Sequence, residues 1–278
     1  MESNIKIGFI GAGNMAEAFI SGLTKQMDAS RIQISDPDTQ RINLIKKKYP
    51  VNNVSSNIEL FQSIDIVILA VKPQVMKTVL TEIKPTRVNA RCLVISIAAG
   101  IQIQSITQIL YQNLSKTEQQ LLPVIRVMPN TPALLQSGMS AYCGNDFATE
   151  TDMQTVHDIL TAMGKVLKVT ENQMNAITAI SGSGPAYFFY FVESMIQAAK
   201  KLGFSDDQSR LLVLQTAEGA LQLLKQPNAC PKQLRQQVTS KGGTTEAAIR
   251  VMAEHNMKTV IGEAIESAQR RAKELSTV

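Results

Sequence analysis

The segment Gly8-Phe9-Ile10-Gly11-Ala12-Gly13-Asn14-Met15-Ala16 constrains this chain more than any other. A short apolar run, Lys6 to Ile10, leads into Gly11-Ala12-Gly13, and apolar residues then recur at helical spacing at Met15, Ala18, Phe19 and Leu23. A strand, a tight turn and a helix in that order, carrying G-x-G-x-x-A, form the opening of a dinucleotide-binding βαβ unit. Gly11 allows the turn, Gly13 lets backbone approach a pyrophosphate, and Ala16 lets the helix pack closely on the strand. The helix start, at Asn14 and Met15, offers unpaired N–H groups to phosphate. The alternative is a plain tight turn.

The rest of the first half repeats the alternation. Strands are expected at Arg31 to Ser35, Asp65 to Val71, Cys92 to Ile97 and Val124 to Met128, with weaker ones at Met139 to Cys143 and Val166 to Val169. Helices are expected at Thr39 to Lys48, from about Gln74, and at Ile103 to Leu110. Uninterrupted apolar strands such as DIVILAV suit a parallel sheet covered on both faces. The reading is a Rossmann-like, doubly wound α/β domain over residues 1–170. From Glu171 to Val278 only helical periodicity remains, which predicts an all-α second domain over residues 171–278.

Within that second domain, Pro185 opens a helix that continues Ala186-Tyr187-Phe188-Phe189-Tyr190-Phe191-Val192, apolar or aromatic on every face. Such a helix needs burial all round. It is either a central core helix or a subunit interface.

Four places carry chemistry beyond the glycine turn. Ser35 and Asp36 stand where the second strand ends, roughly 20 residues on, the position that reads the adenosine ribose. A carboxylate there accepts from a 2′-hydroxyl and repels a 2′-phosphate; equally, Asp36 can open a turn before Pro37. Val71-Lys72-Pro73-Gln74 follows a buried strand, so Lys72 either meets cofactor oxygens or ends a strand at the surface. Met128-Pro129-Asn130-Thr131-Pro132 is a loop stiffened by two prolines and carrying an amide, either a wall for a nicotinamide or a structural turn. Thr239-Ser240-Lys241-Gly242-Gly243-Thr244-Thr245-Glu246 places Gly-Gly and hydroxyl residues at a helix start, an anion site that is compatible with ordinary capping.

Composition narrows the class. The net charge of +5 is mild and the basic residues are scattered; Lys46-Lys47-Lys48 reads as a solvated helix face, so no nucleic-acid partner is expected. No apolar run reaches the roughly 18 residues of a membrane span, and Met1-Glu2-Ser3-Asn4 does not begin a signal peptide, so the cytoplasm is the expected compartment. Cys92, Cys143 and Cys230 stand far apart and read as reduced residues rather than a disulfide framework. With only His157 and His255, a histidine metal site or a Ser-His-Asp triad is poorly supplied, and no metal is expected.

Taken in order, GFIGAGNMAEA, AVKPQ, RVMPNTP, SGSGPAYF and VTSKGGTTEAA resemble pyrroline-5-carboxylate reductases over nearly the whole chain. The resemblance implies reduction of the cyclic imine 1-pyrroline-5-carboxylate to L-proline by NADPH or NADH, the last step of proline synthesis. It implies a helical C-terminal domain that interleaves in an obligate homodimer, often assembled further into larger rings. It also implies roles. Gly11, Gly13, Asn14, Met15 and Ala16 hold the pyrophosphate; Asn57 bonds the adenine-side ribose. Ala70, Lys72 and Pro73 line the cleft, and Met128 and Asn130 approach the nicotinamide. Ser240, Gly242, Gly243, Thr244 and Thr245 hold the substrate, with Thr245 as the catalytic hydroxyl.

Two residues depart from the family pattern: Lys241 where many relatives have proline, and Asp36 where NADPH-preferring relatives carry a small hydroxyl residue. Asp36 therefore predicts that NADH serves at least comparably to NADPH. The rival functions are a reductase of another imine or a 2-hydroxy acid, a dinucleotide sensor without turnover, and a nucleic-acid-binding protein.

Overall fold

The computed structural model describes residues 4–84 and 90–275; Met1, Glu2 and Ser3, on which the leader reading partly rests, lie outside them. The chain divides into two compact units, Met1–Ser183 with Ala268–Val278, and Gly184–Ser267.

The first unit is built on eight strands: β1 (Ile7–Ile10), β2 (Ile32–Ser35), β3 (Asn52–Asn53), β4 (Ile66–Leu69), β5 (Leu93–Ser96), β6 (Val124–Met128), β7 (Gly138–Gly144) and β8 (Gly164–Lys168). Their order is β3-β2-β1-β4-β5-β6-β7-β8. The chain winds outward from β1 through β2 to β3, then returns to β4 on the other side of β1. That reversal is the switch point at which open α/β sheets bind ligands. Ile10 is in register with both Ser35 and Leu69, so three strands end together there.

Strands β1, β4 and β5 are buried at every residue, which explains their unbroken apolar sequences. Alternate residues feed two cores. Phe9 and Ile68 face one, shared with the helices Asn14–Leu23, Thr39–Lys48 and Glu150–Thr161. Ile10, Val67 and Leu69 face the other, shared with Asn57–Ser63, Pro73–Ile83 and Ile103–Leu110. Phe9 and Phe19 meet edge to face at 6.3 Å, which adds about 0.5–1.5 kcal/mol to the burial of their rings. The first helix is thereby fixed on β1, and with it the glycine turn.

The sheet is parallel from β3 to β6, but β7 runs antiparallel to β6, and β8 follows β7 in parallel. The connection from β6 to β7 holds only the short 3-10 helix Thr131–Leu135. A parallel crossover needs a dozen residues or more, so the chain turns straight back. The two-residue β3 and the helices Asn57–Ser63 and Lys116–Gln120 were not expected from periodicity.

The boundary expected after residue 170 falls inside the first unit. Glu171 explains why: its carboxylate accepts from buried Arg126 Nη1 at 2.8 Å, from the Ile103 N–H at 3.2 Å and from the Cys143 thiol at 2.9 Å. Met174 is buried against Ala141 and Cys143. A Cβ placed on Gly100 would lie 3.2 Å from Leu275, so the end of the last helix, Met257–Leu275, packs on this unit too. The expected break at Ser181 to Pro185 is instead a π-helical turn, Thr178–Gly182, running into the helix Gly184–Lys201.

The second unit is helical throughout, as expected: Gly184–Lys201, Asp206–Leu224, Pro231–Gln237, Thr244–Glu254 and the start of Met257–Leu275. Its aromatic helix is not buried within the chain. Phe188, Phe189 and Tyr190 are 63%, 67% and 73% exposed, which removes the central-core reading and leaves an apolar face open.

Candidate active site

The glycine turn sits at the switch point and is held from three sides. The Gly11 N–H donates to the Ser35 carbonyl at 2.8 Å, and the Ala70 N–H donates to the Ile10 carbonyl at 2.8 Å. Gly11 has φ of +97°, and a Cβ there would stand 2.6 Å from the Ala70 carbonyl oxygen, so no other residue fits. Gly13 is different. It caps the helix Asn14–Leu23 in extended conformation, and a Cβ on it would meet no atom within 4 Å. The space beside Gly13 is open, and no side chain caps the helix. Unpaired N–H groups facing open space at a helix start fit a pyrophosphate. Ala16 is fully buried beneath the turn.

The Asp36 carboxylate is bonded through both of its oxygens. Its Oδ1 accepts from the Asp38 N–H at 2.8 Å, closing the turn around Pro37. Its Oδ2 accepts from the Ala12 N–H at 2.7 Å, which fixes the carboxylate on the glycine turn just past the end of β2. Ser35 is buried, and its hydroxyl donates to Asn57 Oδ1 at 2.8 Å; Asn57 Nδ2 in turn donates to Glu82 Oε2 at 2.9 Å. Asn57 is thus brought to the end of β2, with Glu82 as a partner that no local sequence signal announces.

Ala70 is half-buried past the end of β4. Lys72 is exposed and caps the helix Pro73–Ile83, with Pro73 in its first turn. Beyond β6, Met128 and Asn130 lie against the π-helical turn. The Asn130 amide nitrogen donates to the Ser181 carbonyl at 3.2 Å, and its oxygen accepts from the Met139 N–H at 2.8 Å. A Cβ on Gly182 would come within 2.4 Å of Met128 Cε, so Gly182 is what allows that approach. Ser181 and Gly182 join the neighbourhood through SGSGPAYF, a segment that carried the resemblance but named no site residue.

The remaining predicted residues belong to the second unit. Gly242, at φ of +73°, turns the chain into the helix Thr244–Glu254, and Gly243 caps that helix without a side-chain bond. Glu246 reaches back to accept from the Gly242 N–H at 2.7 Å, and the Gly243 N–H donates to the Ser240 carbonyl at 3.0 Å. A Cβ on Gly243 would lie 2.5 Å from Ser240 Oγ. Ser240, Lys241, Gly242 and Thr244 are exposed, and Thr245 is half-buried. The first-turn N–H groups of this helix are available to an anion.

Two cavities, of about 510 and 580 Å3, open elsewhere in the first unit; neither is lined by the glycine turn. Among the described residues no cluster of three or more His, Cys, Asp or Glu could hold a metal, and no helix is long and apolar enough to cross a membrane.

Comparison with known proteins adds independent findings. Residues 171–275 match the family described as pyrroline-5-carboxylate reductase dimerisation, and residues 6–100 match the family described as NADP oxidoreductase coenzyme F420-dependent. A pyrroline-5-carboxylate reductase of Pseudomonas aeruginosa is 40% identical over 99% of this chain and 98% of that protein. One of Vibrio alginolyticus is 38% identical, covering 97% of each. The crystal structure of a Plasmodium falciparum pyrroline carboxylate reductase with NADP bound superposes at a TM-score of 0.86, with 33% identity and 99% of each chain covered. A Coxiella burnetii pyrroline-5-carboxylate reductase superposes at 0.87, with 35% identity and 98% of each chain covered.

Proposed function

The chain belongs to the pyrroline-5-carboxylate reductase family, and from that premise we infer that it reduces 1-pyrroline-5-carboxylate to L-proline with NAD(P)H, as the last step of proline biosynthesis. The observation that carries this reading is that each unit of the chain has its own helix start with no side-chain cap. One is at Gly13, in a dinucleotide-binding unit; the other is at Gly243, in the segment that matches the family.

The reaction needs a hydride at the imine carbon and a proton on the nitrogen. The bound nicotinamide supplies the hydride. The chain's task is positioning, which suits a site without histidine. Gly11, Gly13, Asn14, Met15 and Ala16 form the pyrophosphate cradle, while Asp36, Ser35 and Asn57 face the adenosine ribose. Ala70, Lys72 and Pro73 wall the cleft, and Met128 and Asn130 stand at its nicotinamide end. Asn130 is a positioning residue, since both ends of its amide bond backbone.

The first-turn N–H groups of Thr244 and Thr245 take the substrate carboxylate, favoured by the positive end of the helix, while the Gly243 N–H closes the loop onto the Ser240 carbonyl. Ser240, Gly242 and Thr244 shape the loop around it. The Thr245 hydroxyl bonds the imine nitrogen and orients it; a threonine is a poor acid, so it does not supply the proton unaided. Thr245→Ala tests the assignment. We expect kcat/KM for the imine to fall by about tenfold to a thousandfold, with cofactor affinity retained. Full kcat and KM in that variant would sink it.

The exposed helix bearing Phe188, Phe189 and Tyr190 lies within the matched dimerisation segment, and supports an obligate homodimer covering that face. Asp36 supports use of NADH at least comparably to NADPH. Cys92, Cys143 and Cys230 as thiols rather than disulfides suit the cytoplasm.

A further inference from the structure

One cluster beside the glycine turn has no part in the reading above. Arg41 stands in the first turn of the helix Thr39–Lys48, whose N-cap is Asp38. Its Nε donates to the Ala12 carbonyl at 2.6 Å, and its Nη2 pairs with Glu17 Oε2. Lys48 Nζ takes the other Glu17 oxygen at 2.7 Å. Arg41 and Asp36 therefore grip the same residue, one through the Ala12 carbonyl and the other through the Ala12 N–H.

The geometry sets charge where it matters. Asp36 marks the ribose position at the end of β2, and an arginine near that position is what accommodates a 2′-phosphate. The Arg41 guanidinium is fixed on two sides, and the side chain that carries it is 21% exposed. It has five N–H donors, of which the two bonds above use two. Among the described residues no ion pair joins it to Asp36, and its Nη1 has no acceptor. Glu17 balances one of the two cations, so the Arg41-Glu17-Lys48 group carries a net positive charge beside the carboxylates of Asp36 and Asp38, and Asp38 is held by the Arg41 N–H at 3.0 Å. Both Asp36 oxygens already accept backbone N–H groups, which ties that charge to the protein.

We propose that Arg41, supported by Lys48 through Glu17, is the contact of this enzyme for a 2′-phosphate, so that NADPH binds despite Asp36 and both cofactors are used. The proposal rests on the assignment of this cleft to NAD(P)H. A planar, fixed guanidinium suits a phosphate better than a mobile ammonium does.

The test is equilibrium binding of 2′,5′-ADP and 5′-AMP to the full-length protein, by calorimetry. The two probes differ only in the 2′-phosphate. We expect Arg41→Ala to lower the ratio of the two affinities by about tenfold or more, in keeping with one lost charge-assisted pair. Arg41→Lys recovers part of that ratio, and the wild-type ratio shrinks as salt rises. If Arg41→Ala weakens both probes equally, Arg41 only braces the glycine turn and the proposal is overturned. It is equally overturned if neither affinity changes. Because neither probe is turned over, these outcomes do not depend on the substrate: the predicted binding in a protein inert toward pyrroline-5-carboxylate would support the contact and refute the function.

Discussion

The Asn130 side-chain nitrogen lies 3.2 Å from the Ser181 carbonyl oxygen, joining two segments far apart in sequence. With the Met139 N–H on its own oxygen, the Asn130 amide ties the loop after β6 to the π-helical turn and to the start of β7. π-helical turns interrupt regular helices at functional sites often enough that their position is informative. Here the turn places Gly182 against Met128.

Asn130→Ala removes both bonds and leaves the Met139 N–H without its acceptor. We expect a loss of about 1–3 kcal/mol in unfolding free energy. Since both ends of the amide bond the protein's own backbone, kcat/KM should fall in the same proportion with NADH and NADPH. Denaturant unfolding and paired steady-state assays measure this; a change in one cofactor only would contradict it.

Gly11→Ala places a side chain at φ of +97° and 2.6 Å from the Ala70 carbonyl. The left-handed backbone alone costs roughly 1–2 kcal/mol. The turn must shift, and its N–H groups with it. Nucleotide affinity should fall by at least about tenfold, the factor that 1.4 kcal/mol represents. Unchanged affinity in fluorescence titration would mean that the turn does not shape the cleft.

Much of this was legible in the sequence and some was not. The glycine turn announces itself because its three requirements are local: a strand, a positive-φ glycine and a helix start. The apolar runs of β1, β4 and β5 are legible for the same reason. Strand direction is not local, so nothing in Met139 to Cys143 tells that β7 runs back along β6. The bonds from Asn57 to Glu82, from Asn130 to Ser181 and from Arg41 to Ala12 are contacts across the fold, and no spacing rule predicts them. Residues 171–183 match the dimerisation family by sequence yet group with the first unit in space, because the Glu171 partners Arg126 and Cys143 lie on strands.

Asp152 is one of the carboxylates that tie stability to pH. Burial pushes its carboxyl pKa up, but bonds from Arg91 and from the Thr149 hydroxyl and N–H outweigh that and hold it below the ordinary value. A carboxylate with a lowered folded-state pKa stabilises fully above its unfolded pKa, about 3.9, and loses that contribution as pH falls through the folded value. Asp152→Asn should therefore destabilise the protein at neutral pH by about 1–3 kcal/mol and soften the decline of stability below about pH 4. Thermal unfolding from pH 3 to pH 7 tests both parts (a variant curve parallel to wild type throughout would be inconsistent with them).

Phe189 is 67% exposed on the apolar face of the second unit. Phe189→Asp puts a charge where a partner copy is expected, and burying an unpaired charge costs several kcal/mol. Sedimentation should show a dimer or larger assembly for the wild type and a shift toward monomer for the variant. A wild-type monomer would remove the interface assignment.

The reaction is tested most directly by steady-state turnover of 1-pyrroline-5-carboxylate with NADH and NADPH side by side, following loss of reduced nicotinamide and formation of proline. We expect one proline for each reduced nicotinamide consumed, and kcat/KM for NADH at least comparable to that for NADPH, given the carboxylate of Asp36. No proline from either cofactor would contradict the function, and a preference for NADPH of about a hundredfold, some 2.7 kcal/mol, would contradict the role of Asp36.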